Sequence, residues 1–280
     1  MIELRGLTKK YGDFTAVDNV DLTIETGEFF GLLGPNGAGK TTTISMLSTV
    51  LLPTAGEVRI DGKKLDRKAS SEKRKISVIT QEYSMRQDMT MDEVMEYQGR
   101  LYYMPKKEIR EKSRELLEFA GLSDYHHRVV RHLSGGMKRK LMICRALMTE
   151  PEILLLDEPT AGMDAISRRQ MWNLLRQLHG QGITILLTTH YIDEAQSLCE
   201  RVALMNKGEL NVIDTPANLI EELGAFAVDE TGEEQIKSRY FARREEAIEY
   251  LAQAGEDASL RSTTLEDVFV EKLGRRIDQK

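Results

Sequence analysis

At 280 residues, 41% hydrophobic and 30% charged, the chain has the composition of a water-soluble globular protein with room for one large α/β domain and a small appendage. No apolar run approaches the ~20 residues that a membrane-spanning helix needs, and the first six residues form neither a basic nor an apolar leader, so neither membrane crossing nor secretion is expected. A net charge of −6 argues against the whole surface binding a polyanion. The basic runs at 67–75 and 138–140 are short, lack interleaved aromatics and read as solvated faces, so no nucleic acid partner is expected.

In chain order, Val17, Val20, Leu22 and Ile24 fall in alternating segments broken by turns at Gly12 and Gly27, which predicts strands of a small antiparallel sheet within residues 1–30. Tyr11, beside the Gly12 turn, is either a platform for a nucleobase or an ordinary half-buried tyrosine. The apolar run from Phe29 to Leu33 is followed by Gly34-Pro35-Asn36-Gly37-Ala38-Gly39-Lys40-Thr41-Thr42. Glycines at this spacing let backbone N–H groups converge on phosphate oxygens, with the positive end of the following helix aimed at them. In such a loop Lys40 would reach the β- and γ-phosphates and the Thr41 hydroxyl would ligate Mg²⁺. A turn at 53–56 then leads into a short strand at 57–60, and a further strand at 76–80 ends at Gln81.

From residue 90 the period changes from 2 to 3.6. Residues 90–93 form a capping box, with Met91, Val94 and Met95 on one helix face. Ile109, Leu116, Leu117 and Ala120 mark a second helix stopped at Gly121, and Ser134 caps a third through Leu141, Cys144 and Met148. Four consecutive apolar residues, 153–156, suit a strand buried on both faces of a parallel sheet and end in Asp157-Glu158-Pro159. A helix carrying Met171, Leu174, Leu175 and Leu178 separates it from a second buried strand that ends in His190. Strand–helix–strand alternation gathers the glycine loop, Asp157, Glu158 and His190 at the carboxyl ends of the strands. Val202 to Val212 reads as a hairpin turning at Asn206-Lys207-Gly208. Past residue 222, positions 229–234 read as acidic and turn-rich; Ala247, Ile248 and Leu251 mark one helix, and residues 263–266 cap another carrying Leu265, Val268, Phe269 and Leu273. Cys144 and Cys199 lack metal-ligand spacing and are expected to be buried, reduced thiols.

Taken in order, these motifs resemble the ATP-binding cassette ATPases that drive ABC transporters, over about residues 1–220. Leu133-Ser134-Gly135-Gly136 is similar to the family's signature sequence and residues 153–158 to its Walker B strand. Gln81 is similar to its Q-loop, residues 161–164 to its D-loop, His190 to its switch histidine and Tyr11 to its aromatic A-loop. The resemblance implies an α/β fold, a P-loop cassette with a RecA-like parallel sheet, an antiparallel β subdomain and an α-helical subdomain. A cassette domain over 1–222, its helical subdomain at about 85–150, would be followed by a small C-terminal α+β subdomain over 223–280.

The resemblance also implies ATP hydrolysis with ATP and Mg²⁺. Asp157 and Thr41 would hold the ion, Gln81 would contact the ion or the catalytic water, Glu158 would polarise the attacking water and His190 would contact the γ-phosphate. A head-to-tail homodimer follows, in which Ser134, Gly135, Gly136 and Asp164 of one copy complete the ATP site of the other. A separate integral membrane permease would keep the otherwise cytoplasmic chain at the inner face of the cell membrane. Two departures stand out: Met137 replaces the usual signature glutamine, and Ala161 and Met163 stand where Ser and Leu are common in the D-loop. Residues 264–270, Thr-Leu-Glu-Asp-Val-Phe-Val, resemble a C-terminal motif of type 2 exporter ATPases, which implies an exporter motor ahead of an importer ATPase or a soluble non-transport cassette. The cargo is not legible, because in this family its path lies in the permease.

Overall fold

The structure, a computed structural model, describes residues 1–231, 236–254 and 257–274. The chain opens with an antiparallel hairpin, β1 (Ile2–Tyr11) and β2 (Phe14–Ile24), and then sends β3 (Phe29–Leu33) into a second sheet. Helix α1 (Lys40–Leu47) follows the glycine loop, and β4 (Ala55–Ile60) with the short β5 (Lys63–Lys64) returns to the first sheet, whose order is β2-β1-β4-β5. Strand β4 starts two residues earlier than the turn at 53–56 suggests. Gly56, at φ +74°, makes this possible, since a Cβ there would lie 2.2 Å from the Gly6 carbonyl oxygen.

Helix α2 (Ser70–Arg74) precedes β6 (Ile76–Ile79), and a helical layer comes next: α3 (Met91–Leu101), α4 (Lys106–Phe119) and α5 (Gly135–Leu147). Thr90 caps α3 through the reciprocal bonds of a capping box with Glu93, as its sequence implies. The chain then alternates β7 (Ile153–Asp157), α6 (Ala165–Gly180), β8 (Thr184–Thr189), α7 (Ile192–Leu198) and β9 (Arg201–Asn206) before β10 (Glu209–Asp214) turns back antiparallel. The six-stranded sheet has the order β10-β9-β3-β8-β7-β6. Its pairs β9–β3, β3–β8, β8–β7 and β7–β6 are parallel, so the ends of β3, β6, β7 and β8 open on one edge.

Every residue of β3, β7 and β8 is buried, which explains the unbroken apolar stretches 153–156 in β7 and 185–187 in β8. One apolar core, including Leu154, Leu156, Leu141 and Met171, lies between this sheet and the helices; the other, including Phe30, Leu155, Ile44 and Val58, lies between the two sheets. Alternate residues of β7 thus serve opposite cores. Burying each such Leu contributes roughly 1.5–3 kcal/mol. Both cysteines are buried free thiols, and burial pushes Cys144 up to about 12.

After α8 (Pro216–Leu223) come β11 (Phe226–Thr231), β12 (Ile236–Phe241), α9 (Arg244–Leu251), β13 (Ala258–Ser262) and α10 (Leu265–Gly274), with strand order β12-β11-β13. Positions 229–231 are therefore strand rather than turn; residues 232–235 of that stretch lie outside the described residues. Asp229 is tolerated within β11 because Ser238 and Arg261 donate to its carboxylate at 2.7 and 2.6 Å. The cap of α10 sits one residue later than 263–266 suggests: Asp267 accepts from the Thr264 N–H and hydroxyl at 2.8 and 3.1 Å. Leu265 and Val268 are fully buried and join the core beneath the large sheet.

Candidate nucleotide-binding site

The loop between β3 and α1 borders a cleft of about 530 Å³. Its lining includes Asn36, Gly37, Ala38, Gly39, Lys40, Thr41 and Thr42, together with Tyr11, Gln81, Glu158 and His190. Gly39 caps α1 at φ +110°, and a Cβ there would meet the Ala16 carbonyl oxygen at 2.5 Å. Only glycine fits this backbone, which turns the first N–H groups of α1 toward the cleft. Gly34 and Pro35 do not line the cleft; their carbonyls accept from Lys40 Nζ at 2.8 and 3.1 Å.

Lys40 is 4% exposed, and burial lowers its pKa against the opposing pull of Glu158. Its Nζ lies 3.6 Å from Glu158 Oε1, while His190 Nδ1 is 3.2 Å and Gln81 Nε2 3.4 Å from Glu158 Oε2. One carboxylate thus faces the residues that follow β6 and β8 and the lysine that opens α1. Glu158 adopts φ +48°, unusual for a side-chain-bearing residue, and its N–H is held by the Thr188 carbonyl at 3.0 Å and the Thr188 hydroxyl at 3.2 Å. Asp157, at the end of β7, is buried; its Oδ1 accepts from Thr188 Oγ1 at 2.6 Å and Thr41 Oγ1 at 3.2 Å.

Tyr11 and Phe14 flank the turn between β1 and β2, respectively 50% and 64% exposed, and both line the cleft. Two apolar rings held open to solvent beside a polar loop offer a stacking surface for a planar base. Sequence reading singled out Tyr11 and missed Phe14, whose position three residues beyond, across the same Gly12 turn, was the available signal. It also missed Ala16 and Tyr191 on the cleft wall and Thr188 behind it, and it named Ala161 and Gly162 as part of the D-loop without placing them on this wall.

Ser134, Gly135 and Gly136 do not line this cleft. Ser134 caps α5 by accepting from the Met137 N–H at 3.2 Å, and the Met137 side chain packs against the core where a glutamine would carry a polar amide. Asp164 likewise stands off the cleft wall: its carboxylate caps α6, accepting from the Ile166 and Ser167 N–H groups at 3.0 and 2.9 Å. Within the basic run 138–140, Arg139 corrects the reading of a solvated face, being 2% exposed.

Comparison with known proteins bears on this arrangement. Residues 17–161 match the family described as ABC transporter. The chain is 35% identical to Nod factor export ATP-binding protein I of Cupriavidus metallidurans, over 99% of this chain and 98% of that one. It is equally 35% identical to a daunorubicin resistance ATP-binding protein of Streptomyces coeruleorubidus, again over 99% and 98%. A solved structure described as the dimeric post-hydrolysis state of an ATP-binding cassette bound to ADP and Pi is similar at a TM-score of 0.69 and 32% identity, covering 77% of this chain and 98% of that chain. With its glycine loop, buried lysine and Glu158 on one cleft and Asp157 bonded to Thr41 at its edge, the chain belongs to the ABC transporter family and is an ABC-type, ATP-binding ATPase.

Proposed function

We propose that this chain is the motor subunit of an ABC exporter, hydrolysing ATP to drive a separate membrane permease. The observation that carries the reading of the site is the meeting of Lys40, His190 and Gln81 on Glu158. ATP would enter with its base against Tyr11 and Phe14 and its phosphates along the N–H groups of residues 36–42. The γ-phosphate is a stronger anion than a carboxylate and takes Lys40 and His190 as partners. Glu158 is then left to accept from a water molecule and align it for attack on γ-phosphorus, giving ADP and inorganic phosphate. Closure of the site around the phosphates excludes other water.

The oxygen-only set of Thr41, Asp157 and Gln81 fits Mg²⁺, a hard cation that keeps part of its water shell. Mg²⁺ would neutralise charge developing on the phosphates. The Ser134 turn, a helix N-terminus with two glycines, suits a γ-phosphate but lies off the chain's own cleft, which supports a paired, head-to-tail assembly of two copies. Among the described residues no helix is long and apolar enough to cross a membrane. A separate permease would hold this chain at the inner membrane face. The export and resistance names of the relatives favour export.

Replacing Glu158 by Gln tests the site. The variant is expected to bind ATP with affinity within about threefold of the parent, to lose at least about 100-fold in turnover, and to pair in the presence of ATP. Turnover within about threefold of the parent would remove Glu158 from the role of aligning water.

A further inference from the structure

Arg139 stands on α5, one turn beyond the Ser134 cap, with its guanidinium withdrawn from solvent. Its Nη1 donates to the Thr80 carbonyl at 2.6 Å and its Nη2 to the Gln81 carbonyl at 2.8 Å. The same guanidinium lies 5.2 Å from the centroid of the Tyr83 ring, and the Tyr83 hydroxyl donates to the Gly135 carbonyl at 3.3 Å. The loop after β6 and the first turn of α5 are therefore joined twice, through Arg139 and through Tyr83. Burial lowers the Arg139 pKa, and Asp157 opposes that shift.

A buried cation is costly, and a cation that meets two successive carbonyls fixes their orientation as few other groups can. The planar fork of arginine matches adjacent carbonyls, whereas a lysine ammonium has no such fixed geometry. Gln81 is held at both ends: its carbonyl on Arg139, its side-chain nitrogen 3.4 Å from the Glu158 carboxylate in the cleft. Through these contacts a displacement of Gln81 would be transmitted to α5, at whose tip Ser134 stands. The chain has no glutamine at position 137 to contribute there; Met137 is packed inward.

We propose that Arg139 is a positioning residue that couples the two nucleotide sites of the paired cassette, relaying occupancy of a chain's own cleft through Gln81 to the Ser134 turn it offers to its partner copy. This rests on the paired reading given above. The coupling is a difference in free energy between an ordered and a displaced α5 tip, and linkage requires it to act in both directions between the sites.

The full-length chain carrying Glu158→Gln provides the assay, with Arg139→Met and Arg139→Lys added separately. Two quantities are measured: mant-ATP affinity at low protein concentration, and the ATP concentration giving half-maximal pairing by size-exclusion chromatography. Arg139→Met is expected to leave mant-ATP affinity within about twofold and to raise the ATP needed for pairing by about tenfold or more; Arg139→Lys falls between. A purely structural role would move affinity and pairing together, in proportion to unfolded protein seen in a thermal melt. That pattern in both variants overturns the proposal. Pairing of Glu158→Gln with unchanged ATP dependence in folded Arg139→Met overturns the coupling alone, and absence of ATP-dependent pairing when Arg139 is intact overturns the paired reading and the coupling with it.

Discussion

Replacing Glu194 probes the buried support behind the cleft. The residue lies on α7, four positions after His190, and is fully buried. Its Oε1 accepts from Thr160 Oγ1 at 2.8 Å and from Trp172 Nε1 at 3.0 Å, tying the segment after Glu158 to α6 and α7. Glu194→Ala strands both donors in the interior at ~1–3 kcal/mol each, so the expected loss is about 2–6 kcal/mol, reduced by whatever the buried carboxylate itself cost. Glu194→Gln keeps an oxygen that can accept both bonds and should stay within about 1 kcal/mol at pH 5. Burial raises the Glu194 pKa, against the opposing hydrogen bonds of Thr189, Thr160 and Trp172. The folded value therefore exceeds the unfolded value of about 4.3, and between the two the folded chain binds more protons than the unfolded one. Stability conferred by this site is fully present below the unfolded pKa and falls as pH rises through the folded pKa. The glutamine variant lacks that slope. Urea unfolding from about pH 4 upward, followed by fluorescence of Trp172, the chain's single tryptophan, should show Glu194→Gln gaining on the parent as pH rises through the window between the unfolded and folded pKa values. An alanine variant within about 1 kcal/mol of the parent, or a parent–glutamine difference flat with pH, would refute the reasoning.

Two further perturbations separate binding from folding. Lys40→Met removes the cation at the mouth of α1 and should weaken mant-ATP binding about 10–100-fold, the value of one charge-assisted contact, while the chain stays folded; undiminished affinity would place the phosphates elsewhere. Leu265→Ala deletes a fully buried side chain where α10 meets the main core and should cost ~2–5 kcal/mol in urea unfolding; a loss below about 0.5 kcal/mol would mean that α10 docks without contributing to stability.

The parts of the fold legible in the sequence are those where one physical demand dominates. Residues of β7 are apolar without alternation because the strand is covered on both faces, and the glycine loop is forced by backbone approach at Gly39. The C-terminal sheet was only coarsely legible, because β11 carries Asp229 and Glu230 at its end and charge there resembles a turn. Its logic is a pairing across elements: Arg261 bridges Asp229 and Asp267, and both carboxylates hold its pKa above the usual arginine range. No local pattern records that β13, β11 and α10 will meet.

Arg139 failed to stand out for a related reason. Three consecutive cations look uniform in a sequence, yet they span about 200° of a helix's circumference, so one can turn inward while the other two stay nearer the surface. Lys138 and Lys140 flank the residue that turns inward. The same helix shows why the motifs alone underdetermine the site. Both Gly39 with α1 and Ser134 with α5 present a helix N-terminus among glycines, the arrangement that favours phosphate. Only the first borders the cleft that holds Lys40, Glu158 and His190. If both termini serve one phosphate chain, they must come from different copies. The cation that then decides how they move together is the one whose neighbours in sequence made it look like surface.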